Sequence, residues 1–470
     1  MASRRDALPN SAQRRIPLIG PTLTPGRFVR WRSAVGLDFH VLSTLLFRGW
    51  ALIAGAATVL VLPLWLPPIE QGYYYTFGSV LALQIFFELG LNQIIMQLVS
   101  HEMAHLQTDS EGRLSGDRTS LSRLGGLARM VRRWYTVAAL LYGLVVGVAG
   151  IWFFEHKGSL PAHSWVGVWL VLIGSTATNL WCSPSLAMLE GCGHVGHVAR
   201  LRLVQSVIGY IVFWIALALG AKLWSVVVLP IVGAFCTLYW LRLHRGVLHA
   251  MTLGPIDSNA QLRWRIDVFP LQWRVAVSWI SGYFIFNLFT PLVFSRQGAV
   301  EAGRLGMALT VFSAMSTIGM SWVNAKAPLF TTFIARRDRH ALNALFKAAT
   351  FRSMAFITSA CMLVVVVASI LAANHHPVMA RIAAPAVLMS LALVTVVNSW
   401  VFAAATYMRA HREEPMLPIS VVSAALVAGA AFYGLHFGVP TAMALYAAIS
   451  LLLTLPWTAW LFVGYFRRDA

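Results

Sequence analysis

The chain has 470 residues, 58% hydrophobic and only 11% charged, yet its formal net charge is +19 and its pI is near 10.6. That much apolar side chain, gathered in membrane-length runs, exceeds what one soluble core needs and makes the chain a polytopic membrane protein. A basic balance suits nucleic acid only when it is concentrated on a soluble domain; with no such domain, a nucleic-acid partner is excluded.

Residues 1–36 carry Arg4, Arg5, Arg14, Arg15, Arg27, Arg30 and Arg32 without a hydrophobic signal core, and read as a basic, disordered cytoplasmic tail. The first apolar run, 39–66, is too long for a signal peptide and lacks a small-residue cleavage site, so a retained helix is expected. Arg48 lies about 13 Å along it, a depth from which an arginine must snorkel, find a partner or face water.

The second run, 75–99, carries Gln84, Glu88 and Asn92 at i, i+4 and i+8, which in one helix stack on a single face. A carboxyl group at mid-membrane is costly, so that face is expected to turn toward other helices or a watered cavity. Further helices are predicted at 134–154, 165–189, 203–221, 224–241, 275–295, 305–325, 353–373, 383–407, 417–436 and 441–463, twelve in all. Of the 36 Lys and Arg, 30 fall on the side of the N-terminus and five, Lys157, Lys222, Arg296, Arg304 and Arg381, on the other; Arg48 completes the set. By the positive-inside rule both termini are cytoplasmic.

The outer loops are short, which leaves no room for an outward-facing enzyme such as a glycan ligase or polymerase, and neither catalysis nor a cofactor is expected. The larger loops, 101–133, 242–274 and 326–352, read as basic connectors that meet anionic headgroups of membrane lipids. Polar stripes recur: Thr310, Ser313, Thr317, Ser321 and Asn324 in the eighth helix, and Thr395, Asn398, Thr406 and Arg409 in the tenth. In the seventh, Arg274, Ser278 and Ser281 share one face, and Tyr283, Asn287 and Thr290 another. Serine and threonine alone commonly mediate helix packing, so the charged and amide members weigh more as cavity candidates.

Cys182, Cys192, Cys236 and Cys361 lack metal-ligand spacing and read as small buried hydrophobes. His101, Glu102 and His105 form H-E-x-x-H, in which two histidines one turn apart bind zinc and the glutamate is a general base. An intramembrane metalloprotease would need a third ligand, often an aspartate followed by glycine, and the chain has no Asp-Gly pair. A structural or gating role is the expectation, with no metal.

Gly72 after Glu70, the aromatic cluster Tyr73, Tyr74 and Tyr75, the long apolar run and then Glu-Leu-Gly-Leu at 88–91 resemble the second helix of polysaccharide flippases. Residues 189–205, LEGCGHVGHVARLRLVQ, resemble that family's turn between the fourth and fifth helices. Residues 298–309, GAVEAGRLGMAL, resemble the stretch opening its eighth, with Leu305 in place of the usual aromatic. Pro328 followed by Arg336, Arg337, Asp338 and Leu342 resembles the connector after it. In order and spacing these are similar to Wzx-type polysaccharide or O-antigen flippases of the multidrug/oligosaccharidyl-lipid/polysaccharide (MOP) exporter superfamily.

The resemblance implies an all-α, MATE/MOP-like membrane protein with two six-helix lobes, 37–242 and 271–466 joined by a linker 243–270. It implies a central cavity lined by helices one, two, seven and eight. It further implies a bacterial inner-membrane transporter that moves an undecaprenyl-pyrophosphate-linked oligosaccharide, works beside polysaccharide polymerase and assembly proteins, and alternates access between its lobes. A multidrug exporter of the same superfamily and a non-transport scaffold or scramblase are the other readings. Glu88, near Arg48, is the candidate for proton coupling, since burial and a neighbouring cation or anion push a carboxyl in opposite directions.

Overall fold

The computed structural model describes residues 39–108, 114–246, 268–411 and 415–468, together with Leu248 and Trp264. The expected tail 1–36, most of the linker 243–270 and Arg412 lie outside the described residues.

Helix α1 (Phe39–Trp65) is followed by a broken span: α2 (Pro68–Leu81), a 3₁₀ turn (Ala82–Gln84), α3 (Ile85–Glu88) and α4 (Leu91–Met103). A small antiparallel hairpin, β1 (Leu106–Thr108) with β2 (Leu114–Gly116), leads to α5 (Arg118–Lys157). Then come α6 (Ala162–Leu189), a π turn (Glu190–His194), α7 (Val195–Ala218), a 3₁₀ turn (Lys222–Val227) and α8 (Val228–Leu243). The second half comprises α9 (Phe269–Phe286), α10 (Phe289–Gln297), α11 (Ala299–Asn324), α12 (Ala327–Arg336) and α13 (Arg339–Ala373). It ends with α14 (Pro385–Arg409), α15 (Leu417–Gly434), α16 (Val439–Ile449), a π turn (Ser450–Thr454) and α17 (Leu455–Arg468).

Ten uninterrupted segments are long and apolar enough to cross a membrane, and the pair Pro68–Glu88 and Leu91–Met103, bent by 44°, makes an eleventh. One of the ten, Ala162–Ala218, has 57 residues and would reach about 85 Å if straight, far beyond one hydrocarbon core. Contacts show that it doubles back. Gly167 lies against Trp224 and Asn179 against Pro230, so α6 runs parallel to α8; Gly209 lies against Leu229 and Gln205 bonds Thr237, so α7 runs antiparallel to it. The reversal falls at Gly193, whose φ of 89° suits glycine. Twelve crossings result among the described residues.

Proline chemistry explains several breaks. Pro291 cannot donate to the Asn287 carbonyl and its ring crowds it, so the seventh span stops at Phe286 and resumes as α10. Pro456 removes the donor for the Leu452 carbonyl, inside the π turn. Within α6, Pro184 frees the Leu180 carbonyl, which Ser183 Oγ satisfies at 2.9 Å.

Apart from the α2–α11 crossing, helices α1–α8 pack mainly among themselves and α9–α17 among themselves, as a first and a second lobe, with exposed Leu60, Leu140, Phe235 and Leu452, each at least 70% accessible, on the outer faces as lipid requires. At the end opposite the basic loops the lobes close. There α2 crosses α11 with Gly72 against the Ala299 backbone and Gly303, and Gln71 Nε2 donates to the Gly303 carbonyl at 3.3 Å. Tyr73, Phe154 and Phe294 fill the space beside the crossing, with Tyr73 and Phe294 edge to face at 5.0 Å. Arg381 Nη1 adds a 2.7 Å bond to the Leu66 carbonyl at the end of α1.

Two expectations need correction. The second run is not one helix: Leu89 (φ 51°) and Gly90 (φ 66°) are left-handed and separate α3 from α4. The basic stretches 113–133 and 326–352 are not simple connectors, because α5 and α13 begin well before their apolar runs. Each start is capped by an aspartate, Asp117 accepting from the Ser120 N–H and Asp338 from the Ala341 N–H, both at 3.0 Å.

Candidate functional site

Between the lobes lies a cavity of about 1210 Å³. Most of its wall comes from α1, α2, α9 with α10, and α11, as the resemblance implied, and from α14, which it did not; α6, α7, α8 and α16 add Leu172, Tyr210, Leu229 with Pro230, and Tyr446. It reaches Asn324, the last residue of α11, and Arg409, the last of α14, so it opens toward the basic end while the α2–α11 crossing seals the other.

Four expected residues line it: Asn287, Asn324, Asn398 and Arg409. The stripe residues Thr310, Ser313, Thr317, Thr395 and Thr406 line it as well. The hydroxyls of Thr310 and Thr317 bond to carbonyls one turn back, Gly306 and Ser313, at 2.8 Å each. Such a face is satisfied when empty, yet each oxygen keeps acceptor capacity for a ligand. Asn398 donates to the Tyr446 hydroxyl at 3.2 Å. Among the described residues that line the cavity, Arg409 alone is charged, and no carboxylate is present.

Sequence reasoning missed the phenols Tyr74, Tyr75, Tyr210 and Tyr446, and the hydroxyl of Thr58. The Tyr73–Tyr74–Tyr75 run was the available signal: 100° steps along a helix send Tyr73 into the sealed aromatic cluster and its two neighbours toward the cavity.

The other candidates lie elsewhere. Glu88 and Asn92 sit inside the first lobe, where Asn92 Nδ2 donates to Glu88 Oε1 at 2.7 Å and to Ser183 Oγ at 3.1 Å, and its Oδ1 accepts from the Tyr135 hydroxyl at 2.9 Å. Every capacity of that amide but one lone pair is used. Gln84, half-buried in the 3₁₀ turn, does not line the cavity. Arg48 is exposed on α1, seven residues before the cavity-lining Gly55 and so on the same face, two turns nearer the basic end. Among the described residues it makes no ion pair with Glu88. Arg274, exposed near the start of α9, lies over the Trp273 ring at 5.6 Å.

In the H-E-x-x-H stretch, α4 ends at Met103, before His105. Glu102 turns inward, with its carboxylate 3.7 Å from the Arg123 guanidinium, while His101 and His105 are exposed with ring centroids 6.1 Å apart. No group of three metal-ligating side chains converges there or elsewhere among the described residues.

Neither a protein-family model nor a curated protein matches the sequence. Solved structures do. An inward-facing multidrug resistance MATE family transporter of the MOP superfamily superposes with TM-score 0.57 at 12% identity, over 86% of this chain and 95% of that one. A MOP superfamily transporter from Pyrococcus furiosus, described as having a binding pocket of reverse polarity that suggests a different function, gives 0.54 at 12% identity, over 90% and 94%. An outward-facing MATE family transporter gives 0.50 at 11% identity, over 91% and 95%. At such identities the likeness is one of fold: the chain has the MATE/MOP architecture.

Proposed function

We propose that this protein is a transporter that flips an undecaprenyl-pyrophosphate-linked oligosaccharide across the bacterial inner membrane for polysaccharide or O-antigen synthesis. The observation that carries this reading is the inter-lobe cavity, rich in hydroxyls, amides and phenols, with Arg409 and, among the described residues, no lining carboxylate. A sugar headgroup leaving water needs many replacement donors and acceptors, which the lining supplies, and a pyrophosphate needs a cation, the part proposed for Arg409. The cavity is larger than the roughly 300–1,000 Å³ of drug-sized sites, which favours a bulky headgroup. With the basic end cytoplasmic, the cavity opens to the side where such a substrate is assembled, and rocking of the lobes would carry it across while the lipid tail stays in the bilayer. Polysaccharide polymerase and assembly proteins would receive the product.

The multidrug-exporter reading draws on the MATE neighbours, but a cavity with no carboxylate among its described lining residues suits anionic or neutral cargo better than cationic drugs. Proton coupling is assigned to Glu88, whose carboxylate bonds Asn92 across the Leu89–Gly90 break, so that its protonation would act on the bend of the second span. Arg48, two turns toward the basic end from Gly55, would serve as an anion contact at the mouth.

Complementation of a flippase-null strain tests these assignments. Arg409→Ala is expected to reach the membrane in normal amount and to restore about tenfold less surface polysaccharide, the loss of one charge-assisted contact. Glu88→Gln should be stable and inactive under coupling; full activity would remove that role, and loss of folded protein would make the bridge static. Drug resistance without restored polysaccharide from the unaltered protein would establish the exporter instead.

A further inference from the structure

Away from the cavity, two tryptophan–arginine pairs lie at one depth on the seam between the lobes. On α5, Arg133 and Trp134 are adjacent and exposed, just before the lipid-facing Val137, Leu140, Leu141 and Leu144, whereas Arg132, about 200° round the helix from Trp134, falls on the opposite face, beside Thr136, which bonds Trp181 of α6. Trp134 is twenty residues, about 30 Å of helix, from Phe154 in the sealed aromatic cluster, which puts it at the edge of one hydrocarbon thickness. On α9, Trp273 and Arg274 are likewise exposed just before the apolar part of the span.

Contacts to α4 set the two pairs level. Tyr135, next to Trp134, bonds Asn92, and Val275, next to Arg274, packs on Gly90. Trp264, from the segment preceding α9, stacks on Trp134 with centroids 5.9 Å apart, so indole rings extend from α5 toward α9. On α4 itself Gln93 and Gln97 are exposed, whereas Glu88, at a similar depth, is turned into the lobe onto Asn92. None of these residues lines the cavity.

We propose that this seam binds the headgroup of an anionic phospholipid of the phosphatidylglycerol or cardiolipin type. Arg133 and Arg274 hold the phosphate with paired N–H donors, the indoles sit at the glycerol level, and acyl chains run along Val137, Leu140 and Leu144. Basic recesses between helices at an interface recognise such lipids through charge, and indoles favour the same depth. Because α5 belongs to one lobe and α9 to the other, a bound lipid ties the lobes together on the face where α4 meets α9.

Native mass spectrometry of the purified full chain, titrated with phosphatidylglycerol, cardiolipin and phosphatidylcholine, tests the site. The unaltered protein is expected to retain the anionic lipids about tenfold better than phosphatidylcholine. The double variant R133Q/R274Q should lose that preference, while R336Q/R337Q, with the same change in charge near α12, should keep it. Equal preference in the two double variants, or none in the unaltered protein, would overturn the proposal. The single variants R133Q and R274Q, each expected to lower the ratio about twofold, carry the test should the double variant fail to give monodisperse protein.

Discussion

The second span and the eighth meet at Gly72 and Gly303 and both carry polar stripes, but the stripes serve different ends. In α11, 26 residues run unbroken and the hydroxyl stripe faces the cavity. In α2–α4 the helix breaks after Glu88, and Glu88 and Asn92 are consumed inside the first lobe. The difference is chemical. Hydroxyls bonded to carbonyls of their own helix can face an open space at little cost, whereas a carboxylate and an amide away from water draw in every partner they can reach. A polar stripe in a membrane helix therefore marks a cavity wall more reliably when it is made of serine and threonine than its modest polarity suggests.

The shared start of the two spans is where the largest effect is expected. A Cβ on Gly72 would fall 1.9 Å from the Ala299 carbonyl oxygen, so Gly72→Leu should destabilise the purified protein by about 3 kcal/mol through overpacking. Gly78, on the same helix with no atom within 4 Å of such a Cβ, is the control: Gly78→Ala should shift thermal unfolding by less than about 1 kcal/mol. Equal effects would mean that the crossing is not tight.

Next in size is the contrast between the stripes. Asn92→Ala leaves Glu88, Tyr135 and Ser183 each short of a partner and should cost about 1–3 kcal/mol in thermal unfolding. Asn398→Ala, which removes one bond to Tyr446 beside open space, should cost less than about 1 kcal/mol.

In transport the order inverts. Thr317→Leu, on the cavity face, should lower polysaccharide restoration about tenfold, equivalent to about 1.4 kcal/mol, while Gln84→Leu should leave it unchanged. Were Gln84→Leu the more damaging, the division of labour between the spans would fail.

The smallest effect lies at the start of α5, the helix that carries Tyr135 to Asn92. The Ser120 N–H holds the Asp117 carboxyl below its ordinary value. A lowered folded-state value means that the contribution is present above the ordinary carboxylate range and is lost as pH falls through the folded value. The difference in melting temperature between the unaltered protein and Asp117→Ala should be constant above about pH 5 and shrink below about pH 4.

Much of this architecture is local and therefore legible in residue order. Apolar runs of membrane length report crossings because lipid leaves backbone groups no partner but their own helix, and proline reports breaks because it lacks the N–H that the i−4 carbonyl requires. The stripes of α11 and α14, with Asn324, Asn398 and Arg409, were visible because 3.6-residue spacing is a property of one helix.

What tertiary structure decided is which helix faces which. The i, i+4 spacing already set Asn92 beside Glu88, but nothing local tells the pair that Ser183 and Tyr135 will close over Asn92, since those partners come from two other helices, and Ser183 is positioned by the carbonyl that Pro184 frees. The same holds for Arg48, separated from Glu88 because α1 packs on α7 whereas α3 and α4 pack on α5 and α9. The left-handed turn at Leu89–Gly90 belongs to this second class too. Glycine permits the conformation, but the bend is held by the opposing helix, whose Val275 fills the place where a Gly90 side chain would stand.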